Sequence, residues 1–569
     1  MNYLSPVKDT KFVLKNLLNN PSAIDNDLMN SILEEAGKLA DENLAPLNHK
    51  GDKNPPKLRQ DNEVETSPGF KEAFKKVASG GWIGVSSDQN YDGMGLPFRM
   101  AAAVSEYWQG SNMSFALCNL LSQGLIDALT LVGSDKQKDL YLPKLIDGSW
   151  TGTMNLTEPQ SGTDLSTIKT KAYHDGKNWR IKGQKIYITY GEHDYSQNII
   201  HLVLAKTEGA PDNIKGISTF IIPKYLINED GTLGERNDLK CLSLEHKLGI
   251  KASPTAVMSY GEDENGSIGY MLGEEGKGIE YMFIMMNRAR FDVGLQGMAI
   301  AETARQKALD YAKTRIQGIP INKEKGTPII GHGDVKRQLL IMRSLTESMR
   351  ALILVSAEIM EEAVIDEVKS DLEAFLIPII KGWCTELAQE VTSIGVQIHG
   401  GMGFIEETGA AQIMRDARIL PIYEGTNGIQ ANDLMFRKTI KDNGKTAYAL
   451  LSIASKEIEN DSELIKYFKF CNEIIGHIVT QKNDKEAMSC VSFDYMMGFG
   501  YLIGAWLINK SKQKAIQLLK NKENDKNFLE SKIISADFYT KHILPRAEMH
   551  FKVVKNGSRI VSETSELFV

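Results

Sequence analysis

Along the first 150 residues, apolar side chains recur three and four positions apart over 27–43 and again over 113–132, the spacing of one helix face. A polar, Gly- and Asp-rich loop at 86–97 separates them and ends in Gly93-Met94-Gly95-Leu96-Pro97, which is turn chemistry. From 151 to 275 the period changes. The runs 179–190, 198–206, 217–223 and 255–260 are short, rich in Ile, Val, Thr and Tyr, and divided by Gly, Asp and Asn, which predicts a small antiparallel β domain. After Gly278 the helical spacing returns and persists. The stretch 278–317 reads as one helix of about 60 Å, 335–368 and 372–398 as two more, and 427–443 as a shorter fourth. Long helices with short connections predict an antiparallel bundle. The remainder is also helical, with Lys-, Asn- and Asp-rich breaks near 482–485 and 521–527.

The predicted architecture is α+β and multidomain: an N-terminal helical domain (1–150), a middle antiparallel β domain (151–275), a C-terminal four-helix bundle (276–444) and a helical C-terminal extension (445–569). Helical and strand segments are segregated rather than alternating, which argues against a doubly wound parallel sheet.

Composition narrows the function classes. Of 569 residues, 42% are hydrophobic and 24% charged, which supports several packed cores and argues against a disordered chain. The net charge of −7 disfavours nonspecific binding to nucleic acid, so no nucleic-acid partner is expected. The five cysteines, Cys118, Cys241, Cys384, Cys471 and Cys490, form no CxxC pair, so neither a disulfide framework nor a metal site is expected, and a reducing compartment fits. No signal-peptide core precedes residue 9, and the most apolar stretch, 496–508, is short of the roughly 20 residues a bilayer needs. A buried helix, no membrane insertion and a cytoplasmic location are the expectations.

Phosphate-loop, HExxH and GxSxG motifs are absent. Gly498-Phe499-Gly500 with Gly504 resembles a dinucleotide loop, but it lies inside an apolar helical run with no strand before it; small residues at a helix crossing explain it better. Two segments carry more. The first is Asn155-Leu156-Thr157-Glu158-Pro159-Gln160-Ser161-Gly162-Thr163-Asp164, a hydroxyl-rich loop where helix gives way to strand. Such a loop lines a ligand cleft or simply links two domains. The second is Gln397-Ile398-His399-Gly400-Gly401-Met402-Gly403, followed by Arg415-Asp416-Ala417-Arg418 and Tyr423-Glu424-Gly425-Thr426-Asn427. Glu424 lies among apolar residues in a turn entering a helix, with Thr426 or Asn427 as its N-cap. Burial raises a carboxylate's pKa and a helix N-terminus lowers it, which is one way to poise a general base. Taken alone, Glu424 also reads as a surface capping residue.

Together, in this order and at this separation, the two segments resemble the signatures of the acyl-CoA dehydrogenase family over about residues 35–440. Pro6-Val7-Lys8-Asp9-Thr10, His246-Lys247-Leu248-Gly249-Ile250 and Met285-Met286-Asn287-Arg288-Ala289-Arg290 are similar to a branch with a helical C-terminal extension, which includes dehydrogenases of 3-methylmercaptopropionyl-CoA. The resemblance implies FAD-dependent α,β-dehydrogenation of a short or medium acyl-CoA: Glu424 removes the α-proton and the β-hydrogen leaves as hydride to the flavin. The α-CH of a thioester is a very weak acid, so donors must stabilise the developing enolate oxygen; the family uses the backbone N–H of the base and a hydroxyl of FAD.

Other roles are implied in the same way. Leu156, Thr157, Gly162 and Thr163 line the flavin and its phosphate approach, Tyr187 and Thr189 cover it, and Gly425, Thr426 and Asn427 touch it from beside the base. Many members have Trp where Tyr187 stands and Ser where Thr163 stands; stacking and the hydroxyl are kept. Arg315 matches an arginine reaching the FAD pyrophosphate of a neighbouring subunit, and Gln397 and Gly401 match contacts to its ADP half, so a homodimer is expected. Asn287 and Arg290 match the CoA side, and the helix around 122–125 is expected near the acyl chain. Electron-transfer flavoprotein is the implied electron acceptor. A plain-chain acyl-CoA dehydrogenase is the main alternative. An oxygen-using acyl-CoA oxidase and a flavoprotein acting on damaged DNA through the basic tail Lys541, Arg546, Lys552, Lys555 and Arg559 stand behind it.

Overall fold

Continuous apolar runs become strands covered on both faces. In the computed structural model, which describes residues 3–263, 265–458, 461–521 and 525–564, strands Asn198–Thr207 and Ile217–Pro223 are buried along almost their whole length. They belong to an eight-stranded sheet in the order Leu239–Leu244, Thr255–Tyr260, Trp179–Thr189, Ser267–Leu272, Ile217–Pro223, Asn198–Thr207, Trp150–Asn155, with Lys171–His174 paired to both Trp179–Thr189 and Asn198–Thr207. The expectation of a purely antiparallel sheet is corrected here. Trp150–Asn155 and Lys171–His174 each run parallel to Asn198–Thr207. A parallel neighbour needs a long crossover, and the chain from 156 to 197 supplies one; side-chain pattern carries no information on strand direction.

The chain divides into two compact units. One comprises residues 39–101 and 111–289 and holds the sheet; the other comprises 1–38, 102–110 and 290–569 and is helical. The helix expected from 113 begins at Phe98 and runs to Val132, with a backbone break at Asn112 (φ −159°, ψ 86°). There the Asn112 Oδ1 accepts from Phe115 N at 3.1 Å and its Nδ2 donates to Leu44 O at 3.3 Å, so Asn112 caps the second half of its own helix. The helix expected at 27–43 is Asn26–Leu39, continued by a π-helical turn, Ala40–Leu44, and by Ala45–Lys53.

The bundle helices are Gly278–Thr314, Gly333–Ala363, Glu367–His399 and Asn427–Asn432, the last prolonged by π-helical turns through Ile440. The second stops five residues short of the expected 368 because Asp366 caps the third, accepting from Val368 N at 2.8 Å and Lys369 N at 3.2 Å. The extension contributes Ser462–Thr480, Lys485–Lys520, Lys526–Phe538 and Pro545–Asn556. The polar breaks hold their caps: Asp461, Asp484 and Asp525 each accept from the backbone N–H three residues on. Residues 522–524 of the second break lie outside the described residues.

The stretch 496–508 is buried as expected, inside the Lys485–Lys520 helix. Phe98–Val132 and Lys485–Lys520 are long and apolar enough to cross a membrane by length and composition, and both are mostly buried within the fold. The glycines of 498–504 serve close packing. A Cβ on Gly498 would strike Phe551, one on Gly500 Trp383, and one on Gly504 Tyr539 and Trp383.

Candidate active site

The chain turns back between the Ala410–Ala417 helix and Asn427–Asn432. Ile419 O accepts from Ile422 N at 2.9 Å and Tyr423 N at 3.2 Å, and Pro421 O accepts from Asn427 N at 3.0 Å. The turn closes through two left-handed residues, Glu424 (φ 55°) and Gly425 (φ 82°). Glycine adopts this conformation freely, whereas Glu pays about 1–2 kcal/mol. Backbone strain at an ionisable residue points to function. Among the described residues, neither the Glu424 amide N–H nor its carboxylate takes part in a hydrogen bond. Its carbonyl accepts from Gln430 Nε2 at 3.3 Å, and the neighbouring Tyr423 hydroxyl donates to Gln296. The turn is therefore fixed through its flanks while one N–H and one carboxylate stay open.

Burial raises the Glu424 pKa above the usual carboxylate range, and the fields of Arg290 and Lys381 oppose that rise. Arg290, expected on the CoA side, is 6% exposed and lies against the turn: its Nη2 is 3.7 Å from where a Cβ on Gly425 would stand. Its buried Nε has no hydrogen-bond partner among the described residues, and burial lowers its pKa. Lys381 is fully buried in the Glu367–His399 helix, and burial lowers its pKa to about 7.

Thr426 occupies the N-cap position and its carbonyl takes Ile429 N at 2.9 Å, but its side chain makes no capping bond. The Asn427 side chain is buried and committed to the neighbouring helix. Its Oδ1 accepts from Lys381 Nζ at 2.8 Å; its Nδ2 donates to Thr385 Oγ1 at 2.9 Å and Glu386 Oε1 at 2.8 Å. Arg315, Gln397 and Gly401 are all exposed. They are brought to one region by the Tyr311–His399 ring stack, with centroids 4.4 Å apart, which joins the end of the Gly278–Thr314 helix to the end of Glu367–His399. Around them Ile319, Ile321, Met402 and Phe404 are exposed, Phe404 by 85%.

The sheet unit holds the other expected group. Thr157 O accepts from Ile186 N at 2.9 Å, tying the 156–163 loop to strand Trp179–Thr189. Glu158 is the knot. Its carboxylate accepts from Lys185 Nζ (2.8 Å), Thr170 Oγ1 (2.6 Å), Lys169 N (2.6 Å) and Gln160 Nε2 (2.7 Å). Burial pushes the Glu158 pKa up, but Lys185 and these donors win and hold it at about 2. Two residues on, Ile186 and Tyr187 together oppose the single Val257, a bulge marked by the register shift between Ala256 and Met258. Tyr187 takes φ 61° there and its ring is 61% exposed. Bulges re-aim side chains in this way. Leu156 and Thr157 are half-buried, and Gly162 and Thr163 are exposed.

These residues fit a flavin. Among the described residues, the Thr157, Thr163, Thr189 and Tyr187 hydroxyls make no protein hydrogen bond, and a Cβ on Gly162 would meet nothing within 4 Å. Open donors beside an aromatic platform on a braced loop suit a polar, planar ligand. Asn287 is half-buried with its amide unpaired among the described residues. The 122–125 segment packs against strand Trp150–Asn155: Ser122 Oγ accepts from Gly152 N at 2.9 Å, and a Cβ on Gly152 would meet Leu125.

Two residues escaped the sequence reading. Glu158 was visible in its motif without a role. Lys381 left a signal, one lysine at the centre of the apolar run FLIPIIKGWC.

Family models match in sequence order: acyl-CoA dehydrogenase N-terminal domain over 29–149, middle domain over 153–261, C-terminal domain over 276–438, and acetyl-CoA dehydrogenase C-terminal-like over 459–565. The chain is 43% identical to 3-methylmercaptopropionyl-CoA dehydrogenase of Ruegeria pomeroyi, over 99% of this chain and 100% of that protein. It is 31% identical to a butyryl-CoA dehydrogenase of Syntrophomonas wolfei, over 100% and 98%. The solved structure of an acyl-CoA dehydrogenase complexed with FAD from Bacillus anthracis shares the fold, with a TM-score of 0.75 at 21% identity over 98% of this chain and 92% of that one. The chain belongs to the acyl-CoA dehydrogenase family, FAD-dependent oxidoreductases that act on the CH–CH bond of an acyl-CoA.

Proposed function

We propose that the enzyme converts 3-methylmercaptopropionyl-CoA to methylthioacryloyl-CoA, with Glu424 as the base. The observation that carries the substrate is the 43% identity to the Ruegeria pomeroyi enzyme of that name along the whole of both chains, against 31% to the butyryl-CoA enzyme at similar coverage.

In this reading the Glu424 carboxylate, which makes no hydrogen bond among the described residues, accepts the α-proton. Its open amide N–H donates to the thioester oxygen as negative charge develops there; one such donor is worth about 10²–10³ in rate. FAD, held by the residues named below, would supply the acceptor for the β-hydrogen as hydride. Burial makes Glu424 more basic, while the charges of Arg290 and Lys381 favour its ionised form and oppose that rise. Thr157, Thr163 and Thr189 offer hydroxyls to the flavin, Tyr187 its ring, Leu156 an apolar wall and Gly162 open backbone. Gly425 and Thr426 approach it from the base turn, and Asn427 fixes that turn to its helix. Asn287 and Arg290 face the CoA thioester.

Arg315, Gln397 and Gly401 serve the FAD of a second copy in a homodimer. The exposed apolar residues beside them support this, since a patch of that kind marks an interaction surface. Electron-transfer flavoprotein takes up the electrons, and the enzyme works in the cytoplasm.

A plain-chain reading is favoured by the butyryl-CoA relative, and a thioether closely mimics a methylene. Anaerobic titration of the holoenzyme with 3-methylmercaptopropionyl-CoA and with butyryl-, valeryl- and octanoyl-CoA separates the two. Faster and tighter flavin bleaching by the sulfur substrate than by valeryl-CoA is expected; equal or better bleaching by a plain chain overturns the assignment.

A further inference from the structure

We propose that Lys381 is a positioning residue for the dehydrogenation: through Asn427 it locks the base turn onto the Glu367–His399 helix, and its charge keeps Glu424 in the carboxylate form. The inference rests on the reading of Glu424 as base.

The geometry starts from cost. An ammonium group has three donors and is expensive to bury. Lys381 is fully buried, and Nζ makes one hydrogen bond among the described residues, 2.8 Å to Asn427 Oδ1. Packing alone does not call for a lysine here: its neighbours in the helix, Ile379, Ile380 and Trp383, are buried apolar residues. The single bond falls on the first residue of the helix that follows the base, three positions after Glu424. Asn427 spends its remaining donors on Gly382 O (3.3 Å), Thr385 Oγ1 and Glu386 Oε1. The turn is thereby held to one face of the neighbouring helix. From behind, a Cβ on Gly382 would strike Met496 of the extension, so this stretch of helix has no room to retreat.

The charges around the base come from each element packed on it. Glu424 feels Arg290 from the Gly278–Thr314 helix and Lys381 from Glu367–His399. Lys381 feels Glu424, Arg290 and Glu386. Arg290 also feels Asp433, whose negative charge offsets part of its field, and the like charge of Arg437. Lys381 titrates near neutrality, so it is charged on the acid side, where Glu424 needs help to stay ionised. On the alkaline side Glu424 is ionised without it.

The test is the pH profile of anaerobic flavin reduction by acyl-CoA in FAD-loaded Lys381→Met, Lys381→Arg, Asn427→Ala and Glu424→Gln. For Lys381→Met the acid limb is expected to move up by about 1 pH unit, so the rate falls about tenfold on the acid side and recovers toward the alkaline plateau. Lys381→Arg restores the limb. Asn427→Ala, which frees the turn and strands the Lys381 ammonium, lowers the rate at every pH and moves the acid limb in the same direction as Lys381→Met. A Lys381→Met profile that superimposes on the parent, or drops evenly with its limb unmoved, overturns the proposal. If Lys381→Met does not accumulate as a flavoprotein, Lys381→Gln carries the same expectation. Loss of both folded proteins also overturns it, leaving Lys381 a structural role only. Glu424→Gln separates the two levels: retained flavin reduction there refutes the base itself, whereas a dead Glu424→Gln beside an unmoved Lys381→Met refutes only the inference about Lys381.

Discussion

At the scale of single residues, two carboxylates from the two signatures do opposite work. Glu424 sits in strained backbone with no hydrogen bond to its carboxylate among the described residues, and burial raises its pKa. Glu158 is saturated with donors and paired to a fully buried Lys185. Glu158→Gln therefore strands a buried ammonium and is expected to destabilise the sheet unit by about 3–5 kcal/mol, read as a lower midpoint in denaturant titration. The pH dependence has a definite sign. Because the folded-state pKa of Glu158 is depressed, its contribution is present above the ordinary value of 4.5 and is lost as pH falls toward about 2. The acid arm of a stability profile should flatten in Glu158→Gln. Of these two residues, the sequence singles out Glu424 because its flanking pattern is distinctive. The role of Glu158 was not legible, because its partner Lys185 lies 27 positions away and only the folded sheet brings them together.

At the scale of elements, the helices were readable almost to their ends, since caps such as Asp366 and Asp484 are local signals. Strand direction was not, because a parallel and an antiparallel neighbour bury the same side chains; Trp150–Asn155 shows this beside Asn198–Thr207. The helical half before Asn112 was missed: the helix was expected only from 113 but begins at Phe98, and the re-capping of its second half by the Asn112 side chain becomes visible only in the folded chain. The extension packs its glycine-bearing stretch against the helix that carries Lys381. Gly500→Val would press a side chain into Trp383, which is fully buried. Overpacking of this kind costs about 1–3 kcal/mol, and a lowered Tm is expected. Because Trp383 lies two residues from Lys381, flavin reduction should slow as well; a Tm loss with unchanged reduction would separate the extension from the base turn.

At the scale of the whole molecule, the hydroxyl-rich loop and the sheet belong to one compact unit and the turn that carries Glu424 belongs to the other. Arg315, Gln397 and Gly401 are exposed, as are Ile319, Ile321, Met402 and Phe404, and in the proposed function they serve a second copy. Arg315→Ala is expected to lower the FAD retained through gel filtration, and Phe404→Asp to shift the oligomer toward monomer with loss of flavin, both read by absorbance and light scattering. Full flavin content in Arg315→Ala would remove the cross-subunit contact. The central claim is that Glu424 takes the α-proton. Anaerobic stopped-flow bleaching of the flavin by 3-methylmercaptopropionyl-CoA, comparing the parent enzyme with Glu424→Gln at equal FAD content, tests it most directly. Bleaching slowed by about 10²–10⁴-fold with FAD still bound is the predicted result; bleaching at the parent rate would place the base elsewhere and contradict the claim.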